Sequence, residues 1–160
     1  MATMRKIKIG WLEHALNGFG KIASIRGLED KLPAHLLAGI NGEDAAFFYL
    51  RQKGYTIVAR RWTSGDVRGD VDLIAWQGPV LCFIEVKTRT AHDIAAAEVA
   101  VDSHKRTVLR RLARRYVRQL PQKTAPPVRF DVISVYLVAG MEKEFKHFEG
   151  SFGWSEEYRY

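Results

Sequence analysis

A single cysteine, Cys82, stands in this chain of 160 residues. An internal disulfide is therefore excluded, and so is a zinc site built on cysteines. Its neighbours Val80, Leu81, Phe83 and Ile84 suit a small buried hydrophobe instead. No apolar run approaches the ~18 residues of a spanning helix, so no membrane partner is expected. The basic start (Arg5, Lys6, Lys8) meets Glu13, His14 and Asn17 where a secretory signal would carry an apolar stretch, which makes a cytoplasmic protein the expectation. Repeats and low-complexity tracts are missing too. With 47% hydrophobic and 27% charged residues, the chain has the composition of one globular domain, not of a disordered segment or a coiled coil.

Acidic residues are also scarce, since 18 Asp+Glu against 25 Lys+Arg leave a net charge of +7. That excess favours a polyanionic partner, nucleic acid first. The deficit is unevenly spread: residues 41–100 carry seven basic and eight acidic side chains, whereas residues 101–140 carry nine and two. An acidic cluster collects divalent cations and a basic face collects phosphates, so a metal-dependent enzyme acting on nucleic acid would display both. Two merely solvated faces are the plainer alternative.

Along the chain, Gly10, Gly18, Gly20, Gly27, Pro33 and Gly39 break up residues 1–38, which read as an N-terminal appendage. The central domain is expected over 39–140. Asn41 is a candidate N-cap and Gly54 a candidate stop for a helix of about three turns. Strands are expected at Tyr55–Trp62, at Asp70–Trp76 and Val80–Lys87 around Gln77-Gly78-Pro79, and at Arg129–Val138. Between the last two, Leu109, Leu112, Ala113, Tyr116 and Leu120 recur at helical spacing from Ser103 onward. Helix, three strands, helix, strand is the order of an α/β domain whose long helix permits a crossover between parallel neighbours. Residues 141–160 form an aromatic C-terminal extension of that domain, with Phe145, Phe148, Phe152, Trp154, Tyr158 and Tyr160.

Alternation along a strand places Asp72 with Ile74 and Trp76 on one face, and Glu85 and Lys87 with Leu81 and Phe83 on one face of the next. A two-residue turn pairs Trp76 with Pro79 and a four-residue loop pairs it with Leu81. Either register brings Asp72, Glu85 and Lys87 to the same side of the sheet. Two carboxylates so close repel and call for a cation between them, and hard oxygen ligands select Mg²⁺ or Mn²⁺. A surface ladder bridged by Lys87 is the alternative, disfavoured by the apolar side chains on the same face. Glu43 shares the side of its helix with Phe47 and Leu50, and points inward if that side packs on the sheet; otherwise it is a favourable charge at a helix N-terminus. Lys105 precedes Leu109, Leu112 and Tyr116 by four, seven and eleven residues, an apolar side from which its ammonium is expected to reach the acidic cluster or a bound phosphate; a stem that only snorkels to water is the alternative. Arg110, Arg111, Arg114, Arg115 and Arg118 fall opposite Leu109, Leu112 and Tyr116 as a stripe for a phosphate backbone, or as a solvated helix face.

Gly69-Asp70-Val71-Asp72-Leu73-Ile74 followed by Phe83-Ile84-Glu85-Val86-Lys87-Thr88-Arg89 resembles the PD-(D/E)XK nuclease signature. With Gly42-Glu43-Asp44, Ala46, Tyr49-Leu50, Gly54-Tyr55, Lys105 and Arg129-Phe130-Asp131-Val132, the chain resembles the YraN family of bacterial proteins over about residues 39–138, and is similar at lower resolution to archaeal Holliday-junction resolvases. Asp70 stands where that family more often has Glu, and Arg61 where it commonly has Asn. The resemblance implies a restriction-endonuclease-like three-layer domain, a central mixed sheet flanked by helices. It implies that Asp72 and Glu85 hold the metal, that Lys87 stands beside the attacking water, and that Glu43 is a third ligand, directly or through water.

The function expected is a metal-dependent endonuclease acting on DNA, including branched repair or recombination intermediates. A binding module that keeps the fold without cutting is the first rival. The second is an interaction protein whose C-terminal aromatics dock a partner or a second copy as a homodimer; covering the core is the plainer role for those rings.

Overall fold

Five runs rich in branched and aromatic residues form one mixed sheet, in the spatial order β1 (Thr56–Ser64), β2 (Val67–Gln77), β3 (Val80–Arg89), β4 (Val128–Tyr136) and β5 (Glu144–Phe152). The structure, a computed structural model, describes residues 33–91, 101–121 and 124–155. Most of the expected appendage, with Tyr158 and Tyr160, thus lies outside the described residues. Only β3 and β4 pair in parallel, and helix α2 (Ser103–Arg118) lies between them in sequence, as a crossover between parallel neighbours requires.

Alternation then sorts the core into two layers. On one face Leu73, Ala75, Cys82, Ile84, Ile133 and Val135 pack against helix α1 (Ala34–Gln52) through Ala45, Ala46 and Leu50. On the other, Ile74, Leu81, Phe83, Phe130 and Val132 meet Leu109, Leu112 and Ala113 of α2. The chain is accordingly α/β with a three-layer arrangement, as expected of a restriction-endonuclease-like domain. Cys82 is buried and free, its thiol pushed up to about 11 by burial. No helix among the described residues is long and apolar enough to cross a membrane.

Two elements depart from expectation. Helix α1 begins at Ala34, behind Pro33 whose carbonyl accepts from the Leu36 and Leu37 amides at 2.9 and 3.2 Å, so Asn41 is not its N-cap. Gly42 is buried mid-helix where a Cβ would clash with the Thr88 side chain. Only glycine lets α1 pass that close to β3. The other end matches the reading: Gly54 has φ +86°, and the amides of Gly54 and Tyr55 donate to Arg51 and Leu50 carbonyls in a Schellman motif.

The second departure is β5, an edge strand within residues 141–160, where no strand was expected. Its polar residues Glu144, Lys146, His147 and Glu149 hide it in the sequence, as an edge strand's charges do. Phe152 stacks on Phe130 and Phe145 on Tyr49, with ring centroids 4.8 and 4.6 Å apart. The described C-terminal aromatics therefore cover the core, except that Trp154 stays 40% exposed.

Candidate active site

Strand pairing fixes the site. Gln77 pairs with Val80 around Gly78-Pro79, and Trp76 with Leu81, a register that extended one step past the last pair would set Asp72 opposite Glu85. The ladder between β2 and β3 nevertheless ends at Leu73 and Ile84, while β2 stays with β1 as far as Val67 and β3 with β4 as far as Arg89. At this parting the Asp72 carboxylate takes over from the main chain. Its Oδ2 accepts from the Val86 amide at 2.6 Å.

Glu85, 3% exposed, carries two ammonium groups. Lys87 Nζ donates to Oε1 at 2.9 Å, and Lys105 Nζ lies 3.1 Å from Oε2, which has no hydrogen bond of good geometry. Lys105 also donates to the Asp70 carbonyl at 3.2 Å and stands 3.6 Å from Asp70 Oδ1. The helical spacing thus put Lys105 on the correct side of α2, and Asp102 caps the turn that holds it, accepting from the Lys105 amide at 2.8 Å. Burial, then the neighbouring Glu85 and Glu43 charges, raises the Asp72 carboxyl well above the usual carboxylate range, although the Val86 amide opposes this. Lys105 is held above its ordinary value because Glu85, Asp72 and Asp70 outweigh its burial.

Glu43 is brought near this cluster but not into it. Both its oxygens are engaged by Arg61, with Nε to Oε2 at 2.6 Å and Nη2 to Oε1 at 3.1 Å. Arg61 itself has φ +46°, the left-handed region that asparagine visits more readily than arginine. Among the described residues no group of three acidic, His or Cys side chains has metal-holding geometry. The donor set fits a hard cation as two carboxylates, Asp72 and Glu85, which suits magnesium because that ion keeps several waters and takes one or two carboxylates. A third direct ligand at Glu43 does not fit while Arg61 holds it. Ser134, paired with Lys87 across the parallel ladder, is buried and its Oγ finds no partner among the described residues; its sequence context of Val and Ile gave no sign of a site.

The arginine stripe divides. Arg111, Arg114, Arg115 and Arg118 are exposed as expected. Arg110 is not: it is 6% exposed, its Nε donates to the Gly153 carbonyl at 2.8 Å, and its guanidinium lies over Phe152. It precedes Ala113 by three residues and Val117 by seven, which puts it on the flank of the buried stripe rather than opposite it. Arg115 pairs with Asp66 from the β1–β2 turn, a compensating charge that only the fold brings to the helix.

Comparison with known proteins follows the same span. A family model described as uncharacterised protein family UPF0102 matches residues 42–135, which include every acidic and lysine position above. The chain is 54% identical over 105 residues to a UPF0102 protein of Koribacter versatilis, covering 66% of this chain and 72% of that protein. Identity is 45% over 104 residues with a UPF0102 protein of Solibacter usitatus, 65% and 78% of the two chains. A UPF0102 protein of Porphyromonas gingivalis is 44% identical over 115 residues, 71% and 82% of the two chains.

Proposed function

From the premise that the chain belongs to the UPF0102 family, the one its YraN resemblance pointed to, we propose that it is a metal-dependent endonuclease hydrolysing phosphodiester bonds in DNA, branched repair or recombination intermediates included. One observation carries the reading: Asp72, Glu85, Lys87 and Lys105 meet where β2 and β3 part, the two carboxylates buried and the two ammonium groups half-buried. Asp72 and Glu85 would hold Mg²⁺ or Mn²⁺, which when bound supplies Lewis-acid polarisation of a phosphate and a more acidic water.

The chain's own groups do the remaining work. Lys87, anchored on Glu85, directs its ammonium protons at the attacking water and at the phosphate oxygens as negative charge develops on them. Lys105 adds a second fixed cation from the opposite layer. Water oxygen bonds to phosphorus and releases a proton to solvent, the bond to one sugar oxygen breaks, and that oxygen takes up a proton from solvent. No covalent enzyme intermediate is required. Exposed Arg111, Arg114 and Arg118 hold the flanking backbone.

Titrating Mg²⁺ and Mn²⁺ against duplex, single-stranded and branched DNA tests this. Cleavage by the parent chain, lowered by about a hundredfold or more in Lys87→Ala and in Asp72→Asn, is the expected outcome. DNA bound tightly but left intact at every metal concentration would favour the non-cutting module instead.

A further inference from the structure

Arg68 on β2 and Arg111, Arg114, Arg115 and Arg118 on α2 line a groove of about 520 Å³, with Asp66 as its acidic member. It begins beside the active site, since Arg68 stands two residues before Asp70 and Lys105 opens the helix that forms its wall. Further along, a second hollow of about 340 Å³ is lined by Arg114, Val117, Arg118 and Trp154. Arg114 and Arg118 line both, so the two adjoin. Five guanidinium groups face one carboxylate in the larger groove, and that carboxylate is committed to Arg115. Such a surface is complementary to a chain of phosphates.

Trp154 gives the far end a different chemistry. Its indole is 40% exposed, with the Arg114 guanidinium 5.3 Å from the ring centroid. Its edge-to-face contact with Phe130 fixes one side, at 5.0 Å and 86°. Buried Arg110 holds the backbone on both sides of it, donating to the Gly153 carbonyl at 2.8 Å and the Ser155 carbonyl at 3.4 Å. An exposed aromatic ring so restrained, with a guanidinium over it, is a stacking platform. Duplex hides the faces of its bases within the stack, so only an unpaired base can use such a platform.

We infer that α2 and Trp154 form a single-strand subsite: the arginines follow the phosphates of an unpaired strand leaving the active site, and Trp154 stacks one of its bases, Arg114 moving from the ring to a phosphate. Between Lys105 and Arg118 the helix rises about 20 Å, enough for roughly six phosphates of a stacked strand. Arg110 is then a positioning residue rather than a phosphate contact. This rests on the nucleic-acid reading above, but the experiment separates the two.

Binding is measured by fluorescence anisotropy in EDTA, so that no cleavage intervenes, with a labelled oligothymidylate and a blunt duplex of equal length across a salt series. The parent chain should bind the single strand more tightly. Trp154→Ala should weaken that binding by about tenfold and leave the duplex unchanged, with Trp154→Phe restoring most of it. Arg111→Glu with Arg118→Glu should instead flatten the salt dependence of both probes, by about 0.7 in slope per phosphate lost for the single strand and about 0.9 for the duplex. Arg110→Met should behave as Trp154→Ala does, lowering single-strand affinity with an unaltered salt slope. Equal binding of both probes, with Trp154→Ala as tight as the parent, overturns the subsite and leaves the nucleic-acid reading standing. Binding of neither probe overturns both.

Discussion

In an exposed helix, replacing glycine by alanine stabilises by about 1 kcal/mol. At Gly42 the sign should reverse, because the new methyl group would lie 1.9 Å from Thr88 Oγ1 and 2.9 Å from Thr88 Cβ. Gly42→Ala is expected to cost about 1–3 kcal/mol, read as a lower denaturation midpoint, with Thr88→Ala in combination recovering part of it. The same position shows where single residues escape sequence reading. Asn41-Gly42 looks like a helix start because local chemistry favours one, yet the close passage of β3 decides. Asp72, Glu85 and Lys87 were legible, since period-two alternation and a short hairpin leave few ways to arrange them. Arg110 and Arg61 were not: one lies a single residue off the buried stripe, and the other takes its meaning from a carboxylate eighteen residues away.

At the level of elements, β5 is held to β4 by a polar cluster as well as by rings. Asp131, fully buried, accepts from Arg129 Nε and Nη2 at 2.8 and 2.9 Å and from the Gly150 amide at 3.0 Å, and His147 Nε2 lies 3.1 Å away. Burial pushes its carboxyl up, but His147, Arg129 and the Gly150 amide together hold it below the usual range. A depressed carboxyl contributes stability that is complete above its unfolded value, near 4, and is lost as pH falls through the folded one. Urea unfolding followed by circular dichroism should therefore show stability falling below about pH 4 in the parent chain. Asp131→Asn should lose about 3 kcal/mol at neutral pH and show a shallower acid limb. Identical limbs would mean that the carboxylate does not pin the strand. Nothing in a sequence search for apolar alternation reveals β5, because its contribution is made through these polar partners. The helix stop at Gly54 and the other four strands, by contrast, rest on local signals and were readable.

At the scale of the whole molecule, the surplus of positive charge meets the acidic cluster at one point, where Lys105 crosses from the α2 layer to Glu85 on the sheet. Spacing alone suggests that Lys105→Met would be silent for stability. The structure argues otherwise, since Glu85 is buried and its Oε2 has Lys105 as its nearest cation in the absence of a metal. Removing that ammonium leaves half a buried carboxylate uncompensated and should lower stability by about 1–3 kcal/mol in EDTA. It also removes a competitor for the same oxygen, so a divalent cation should now bind more firmly. Because the cation binds the folded chain and not the unfolded one, saturation at about a hundred times the dissociation constant adds about 2.7 kcal/mol. Thermal melts with and without Mg²⁺ should therefore lie further apart in Lys105→Met than in the parent, by several degrees for a chain of this size, while turnover on DNA falls. Equal shifts in both proteins would show that the ammonium and the metal do not share Glu85, and a Mg²⁺ shift surviving Asp72→Asn with Glu85→Gln would place the ion elsewhere.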